Sequence, residues 1–162
     1  GGHWMGITAQ VVKQTNADIV KTAQSFALTS IALFDGFISC WDEKYRSSYV
    51  RPVTVINELI DKNWAPLLQT PPFPEYTSGH STITASAATV LTKLYGDNFA
   101  FEDSSDYHYI GLKRKFSSFQ AAAAEASMSR VYGGIHFRSG CENGNQLGKQ
   151  VAAVILRKLG KQ

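Results

Sequence analysis

Residues 71–96 read PPFPEYTSGHSTITASAATVLTKLYG, and the rest of the chain is best read outward from them. Four prolines between Trp64 and Pro74 rule out regular structure there, so that segment is a loop. Ser78-Gly79-His80 then opens a helix that carries Ile83, Ala87, Val90, Leu91 and Leu94 on one side and stops at Gly96-Asp97. A tripeptide in that position has a chemical consequence. First-turn amides have no intrahelical partner and the helix dipole is positive there, so the motif offers donors to an anion without using any side chain. Gly79 lets the backbone come close.

Toward the N-terminus, Ile19, Ala23, Phe26, Ala27, Ser30, Phe34, Phe37, Ile38 and Trp41 recur at helical spacing, with Asn16 as the expected cap. The apolar run from Ser25 to Trp41 is broken by Asp35 and rich in Ser, Thr and Gly. It falls short of a membrane span and reads as a buried core helix. Lys44 follows Trp41 by one turn, and Pro52 opens a short helix over Val53–Ile60. Toward the C-terminus, Phe99 to Lys115 reads as a charged surface loop with a short strand pair, and Phe116 to Tyr132 as a helix whose Ala121 to Ala124 run allows close packing. Gly133-Gly134 ends that helix and leaves His136 on a loop, before a last helix carrying Leu147, Gly148, Val151, Val154, Ile155 and Leu159. About five helices with long functional loops make an all-α bundle, a single domain over residues 1–162.

A net charge of +3 on 162 residues, with the basic residues scattered, excludes a nucleic-acid surface. The N-terminal residues have neither the basic nor the apolar region of a signal peptide. The cations that matter are Lys44, Arg51 and Arg130, which can neutralise the oxygens of a tetrahedral oxyanion, the arginine forks matching its geometry. Ser78 and the Gly79 amide add neutral donors. His80 and His136 are left for chemistry, because imidazole can act as nucleophile or proton donor near neutral pH. His3 and His108 are assigned no role.

Taken together, Lys44, six residues, Arg51-Pro52, then Ser78-Gly79-His80, then Ser129-Arg130, five residues, His136 resembles the three-part signature of the type 2 phosphatidic acid phosphatase and vanadium haloperoxidase superfamily. Trp41, three residues before Lys44, and the approach Pro71 to Tyr76 resemble its haloperoxidase branch. That resemblance implies vanadate as cofactor, with His136 as axial ligand, Lys44, Arg51, Ser78, Gly79 and Arg130 on the equatorial oxygens, and His80 moving the proton while hydrogen peroxide oxidises halide. It also implies Trp41 and Phe73 as a halide or substrate pocket. Phe73 stands where the family's chloroperoxidases carry Phe and its bromoperoxidases His.

The same pocket fits an acid phosphatase that needs no cofactor, His136 attacking the phosphorus of a phosphate ester and His80 protonating the leaving alcohol. A third reading is an inactive or incomplete anion-binding domain. Haloperoxidase-like members carry a further helical region before the signature, so the resemblance implies a C-terminal half, completed by an N-terminal helical half or by a second copy.

Two positions depart from the pattern. Thr77 stands where the signature has Pro, which is expected to loosen the turn, and Gly140 stands where most members carry the Asp that orients the histidine. Glu142 is the nearest carboxylate in sequence, and either it or a backbone carbonyl is the expected substitute. Cys40 and Cys141 flank the motifs and either form a disulfide or remain two buried thiols. A bridge would fit a periplasmic or secreted home.

Overall fold

The computed structural model describes residues 2–159. Its elements in chain order are α1 (Gly2–Gln14), α2 (Ile19–Ser47), α3 (Pro52–Leu59), α4 (Gly79–Tyr95), β1 (Phe101–Asp103), α5 (Tyr107–Ile110), β2 (Arg114–Phe116), α6 (Phe119–Tyr132) and α7 (Arg138–Lys158). The fold is all-α apart from one two-stranded ribbon, in which Phe101 faces Phe116 and Asp103 faces Arg114 in antiparallel register.

α4 is the central helix, and its sequence shows why. Thr, Ser and Ala occupy most of its length, so neighbours can approach on every side, and residues from Gly79 to Leu91 are buried almost without interruption. One core forms where Ala87, Ala88 and Leu91 meet Trp4, Ile7 and Val11 of α1, Leu33 of α2 and Phe119 of α6. A second forms on the other side, where Val90 meets Leu28 and Ala32 of α2 and Ala152, Ile155 and Leu156 of α7.

Four features differ from the sequence expectation. The helices number seven among the described residues, because α1 and the single-turn α5 add to the five expected. α2 is capped by the Asp18 side chain, which accepts from the Lys21 N–H, while Asn16 takes a left-handed turn conformation (φ 48°) instead of capping.

α2 also buries a different face from the one its apolar stripe suggests. Ser25, Thr29, Ala32, Gly36, Cys40 and Lys44 are inside, whereas Phe34 is 65% and Ile38 50% exposed. The small residues win because they let α2 close on α4, with a methyl group at Gly36 already 3.4 Å from Ser86 Cβ. By length and composition α2 could cross a bilayer, but this buried polar face and Lys44 mark it as a core helix.

The fourth difference is the early start of α7. Gly140, Gly144 and Gly148 lower helix propensity over its first half and hide it from a propensity reading. Gly144 and Gly148 lie against α4, and Gly140 lies against the Glu75 carboxylate. A Cβ at Gly144 would stand 3.0 Å from the Ser78 carbonyl oxygen, and one at Gly148 would meet the Thr82 carbonyl oxygen and lie 2.9 Å from Ser86 N. Gly148→Ala should therefore lower stability by roughly 1–3 kcal/mol, the overpacking cost exceeding the gain in helix propensity. A denaturant midpoint that rises in this variant would disprove the close contact.

Candidate active site

The site lies where the N-terminus of α4, the 71–77 loop and the 133–137 loop converge on a cavity of about 820 Å³. His80, His136, Arg130, Ser129, Gly79, Trp41 and Phe73 all line it. Gly79 is tight: a Cβ there would stand 3.1 Å from the Trp41 ring. Trp41 in turn stacks on Phe37 at 4.0 Å and tilts against Phe73 at 5.1 Å, forming one apolar wall.

Lys44, Arg51 and Ser78 stand directly behind the cavity surface. The Lys44 ammonium is fully buried and donates to the carbonyls of Pro74 (2.9 Å), Glu75 (3.0 Å) and Thr77 (2.6 Å). Burial, with Arg51 also acting downward, lowers its pKa to about 8, which leaves it charged at pH 7. Arg51 donates through Nε to the Phe73 carbonyl (3.0 Å), through Nη2 to that of Pro74 (3.3 Å) and through Nη1 to that of Ile135 (2.7 Å). The Phe73 ring packs 5.2 Å from both Lys44 Nζ and the Arg51 guanidinium carbon, within cation–π range. Ser78 caps α4, its hydroxyl accepting from the Ser81 N–H (3.3 Å), while its own N–H donates to the Gly140 carbonyl (3.0 Å). Arg130 has one hydrogen bond among the described residues, Nε to Ser129 Oγ (3.1 Å), which leaves the rest of its fork for a ligand. Lys44 and Arg51 stand beside the Glu75 carboxylate and Arg130 adds a third cation on the cavity wall, while Asp103, Asp106 and Glu125 line other parts of the cavity.

Hydrogen bonding fixes the His136 tautomer. Arg51 Nη1 lies 3.1 Å from Nε2, and because a guanidinium only donates, Nε2 is the acceptor. The proton therefore sits on Nδ1, which donates to Glu75 Oε1 at 2.6 Å. Burial pushes the His136 pKa down, against the upward pull of Glu75, and Arg51 adds to the lowering. The result is a neutral imidazole with its lone pair on the nitrogen among the cations.

His80 opens onto solvent on the cavity side. Desolvation, then the charge of Arg130, lower its pKa to about 4. Solvent screens that charge at an exposed ring, so the direction matters more than the size: His80 is neutral at pH 7.

The expected orienting residue was incorrect. Glu142 is exposed and pairs with Arg138 at 3.9 Å, because it lies one turn into α7 and faces away from the loop that carries His136. Glu75 takes the place, arriving from a loop 61 residues earlier. The sequence signal was the carboxylate within Pro71 to Tyr76 together with the missing one at Gly140. Thr77 does not loosen its turn, since its hydroxyl bonds Thr82 Oγ1 (3.2 Å) and Cys40 Sγ (3.5 Å).

The disulfide is also absent. Cys40 and Cys141 are free and buried, each with its own polar neighbours: Cys40 donates to the Thr77 carbonyl, and Cys141 sits by Ser81, Ser78 and Ser127. This removes the support a bridge would have given to a periplasmic or secreted home. His3, assigned no role from sequence, also lines the cavity, where Nε2 meets Asp103 at 2.7 Å and Nδ1 meets Asp106 at 3.3 Å.

The model of the VCPO second helical-bundle domain matches residues 24–63 and 58–162. The chain belongs to that family. Among solved structures, a bacterial vanadium-dependent iodoperoxidase is 51% identical, with a TM-score of 0.93, and the alignment covers 96% of this chain and 38% of that one. A bacterial vanadium-dependent chloroperoxidase in its holo form is 18% identical, with a TM-score of 0.79 over 100% of this chain and 42% of that one. An apo form gives 19% identity and a TM-score of 0.72 over 86% and 37%. These two show the shared fold. No curated protein sequence matches the chain. The VCPO-family chain thus spans about two fifths of the solved haloperoxidase chains it matches.

Two measurements check the site. The His80 ring proton should titrate well below the usual histidine range in the free protein and move upward when an oxyanion adds negative charge beside it; a midpoint near 6.5, unmoved by ligand, would contradict the environment described. Thiol counting should find two free thiols, both unreactive until the protein is denatured.

Proposed function

We propose that this chain is the oxyanion-holding bundle of a vanadium-dependent haloperoxidase, and that the protein oxidises iodide with hydrogen peroxide. The observation that supports it is a neutral His136 whose Nε2 is held as an acceptor by Arg51 with Lys44 close by, in a chain 51% identical to a vanadium-dependent iodoperoxidase.

The donor set suits vanadate. His136 Nε2 would bind the metal, Arg51, Ser78, Gly79 and Arg130 would donate to its oxygens, and Lys44, whose three N–H groups are on carbonyls, would act through its charge from behind. Gly79, at the first turn of α4, brings an amide without a side chain in the way. When bound, vanadate supplies the Lewis-acid centre at which peroxide becomes electrophilic toward halide.

The protein's own residues do the remaining work. Lys44 and Arg51 would hold positive charge beside a bound oxyanion without reorganisation, because both are already anchored by carbonyls. His80, neutral at pH 7, accepts the proton that peroxide gives up. Trp41 and Phe73 offer an apolar wall to the halide, which suits the large and weakly hydrated iodide.

Calorimetric titration with orthovanadate, followed by triiodide formation in the presence of peroxide, tests the proposal. His136→Ala should abolish turnover. His80→Ala should keep oxyanion binding and lower turnover roughly a hundredfold or more, the usual size of a lost acid or base. Phe73→His should raise bromide turnover relative to iodide. Hydrolysis of p-nitrophenyl phosphate by metal-free protein, with no halide oxidation after vanadate loading, would replace this reading with the phosphatase one.

A further inference from the structure

The start of α7 lacks something that helices ordinarily supply for themselves. Its N-cap is Phe137, which offers no side-chain cap, and its first turn contains no acidic residue. In a capping box, a carboxylate at the third helical position reaches back to the N-cap N–H. Here the third helical position is Gly140, counting from Arg138.

The missing carboxylate comes from elsewhere in the chain. Glu75 Oε1 accepts from the Phe137 N–H at 3.1 Å, the bond a capping-box carboxylate would make, and the same oxygen accepts from His136 Nδ1 at 2.6 Å. Glu75 is 1% exposed and is fixed at its own backbone, where its N–H donates to the Tyr49 carbonyl (2.9 Å) and its carbonyl accepts from Lys44 (3.0 Å). The carboxylate also occupies the space residue 140 would use. A Cβ built on Gly140 would collide with Glu75 Oε1 and stand 2.8 Å from both Cδ and Oε2.

We propose that Glu75 is the positioning residue for His136, and that positions 75 and 140 act as one: a carboxylate at 75 requires glycine at 140, and an acid at 140 can take over only when 75 is small. Glu75 would hold the Nδ1 proton and the ring plane, so that Nε2 faces the ligand, while capping the helix that follows. The inference rests on the reading of this pocket as an oxyanion site bound through His136.

Orthovanadate and inorganic phosphate are the probes, with affinity read by calorimetry and the His136 ring by nitrogen NMR. Glu75→Ala should weaken binding about 10- to 100-fold, the usual effect of losing a residue that orients a metal-bound histidine. Gly140→Asp alone should weaken it as well, through the collision. Glu75→Ala combined with Gly140→Asp should recover binding to within a few-fold of wild type and restore the His136 nitrogen shifts, because the new carboxyl group grows into the vacated space.

Glu75→Gln keeps the shape and one acceptor, so it reports on the loss of charge if the alanine variant does not fold. Wild-type affinity in both Glu75→Gln and Glu75→Ala, or a double variant no better than the worse single, would overturn the inference while leaving the oxyanion site in place. Absence of binding in the wild type would instead overturn the site, and the inference with it.

Discussion

The closeness of α7 to α4 is the constraint on which the site depends. Gly144 and Gly148 remove the side chains that would hold the helices apart, and the contact brings the start of α7 against the start of α4. The Ser78 N–H to Gly140 carbonyl bond is the direct product of that approach. It sets the Ser78-Gly79-His80 turn beside the loop that ends in His136, so two motifs more than fifty residues apart share one cavity.

Burial of charge is the second organising force. A buried ammonium or guanidinium costs several kcal/mol unless its donors are met. Lys44 and Arg51 meet that cost with the carbonyls of Phe73, Pro74, Glu75 and Thr77 on one loop and Ile135 on another. The proline-rich loop cannot form a helix or sheet ladder, so its carbonyls need outside donors. Each cation is therefore both a brace for its loop and a source of positive potential in the cavity. Loss of either cation combines an electrostatic effect with a structural one.

Much of this was legible because it is local. Ser78 as a cap, the stop after Tyr95, the glycine pair before His136 and the short strand pair all follow from side-chain chemistry within a few residues. The spacing of the motifs pointed to one shared cavity, and the structure brings Arg130 and His136 to its wall. What escaped the reading depended on packing between distant segments. Bulky residues on α2 pointed to the wrong face because close packing favours Gly36 and Ala32 over Phe34. Trp4, Ile7 and Val11 had helical spacing, but their burial depends on Phe101 and Phe119 across the chain. Glu142 was favoured by proximity in sequence, whereas the orienting carboxylate is set by proximity in space.

The Arg51 fork reaches the Phe73 carbonyl 22 residues away, the Ile135 carbonyl 84 away and His136 85 away. Such a side chain has nothing to hold until the long intervening stretch, including all of α4 and α6, has come to rest. Loop-closure entropy must be met before these bonds return anything, which assigns them to the late part of the folding reaction. These Arg51 contacts therefore form only once the whole stretch from residue 51 to residue 136 has collapsed. The order of the His136 ring, held by Arg51 from one side, thus reports on completed folding rather than on partial structure.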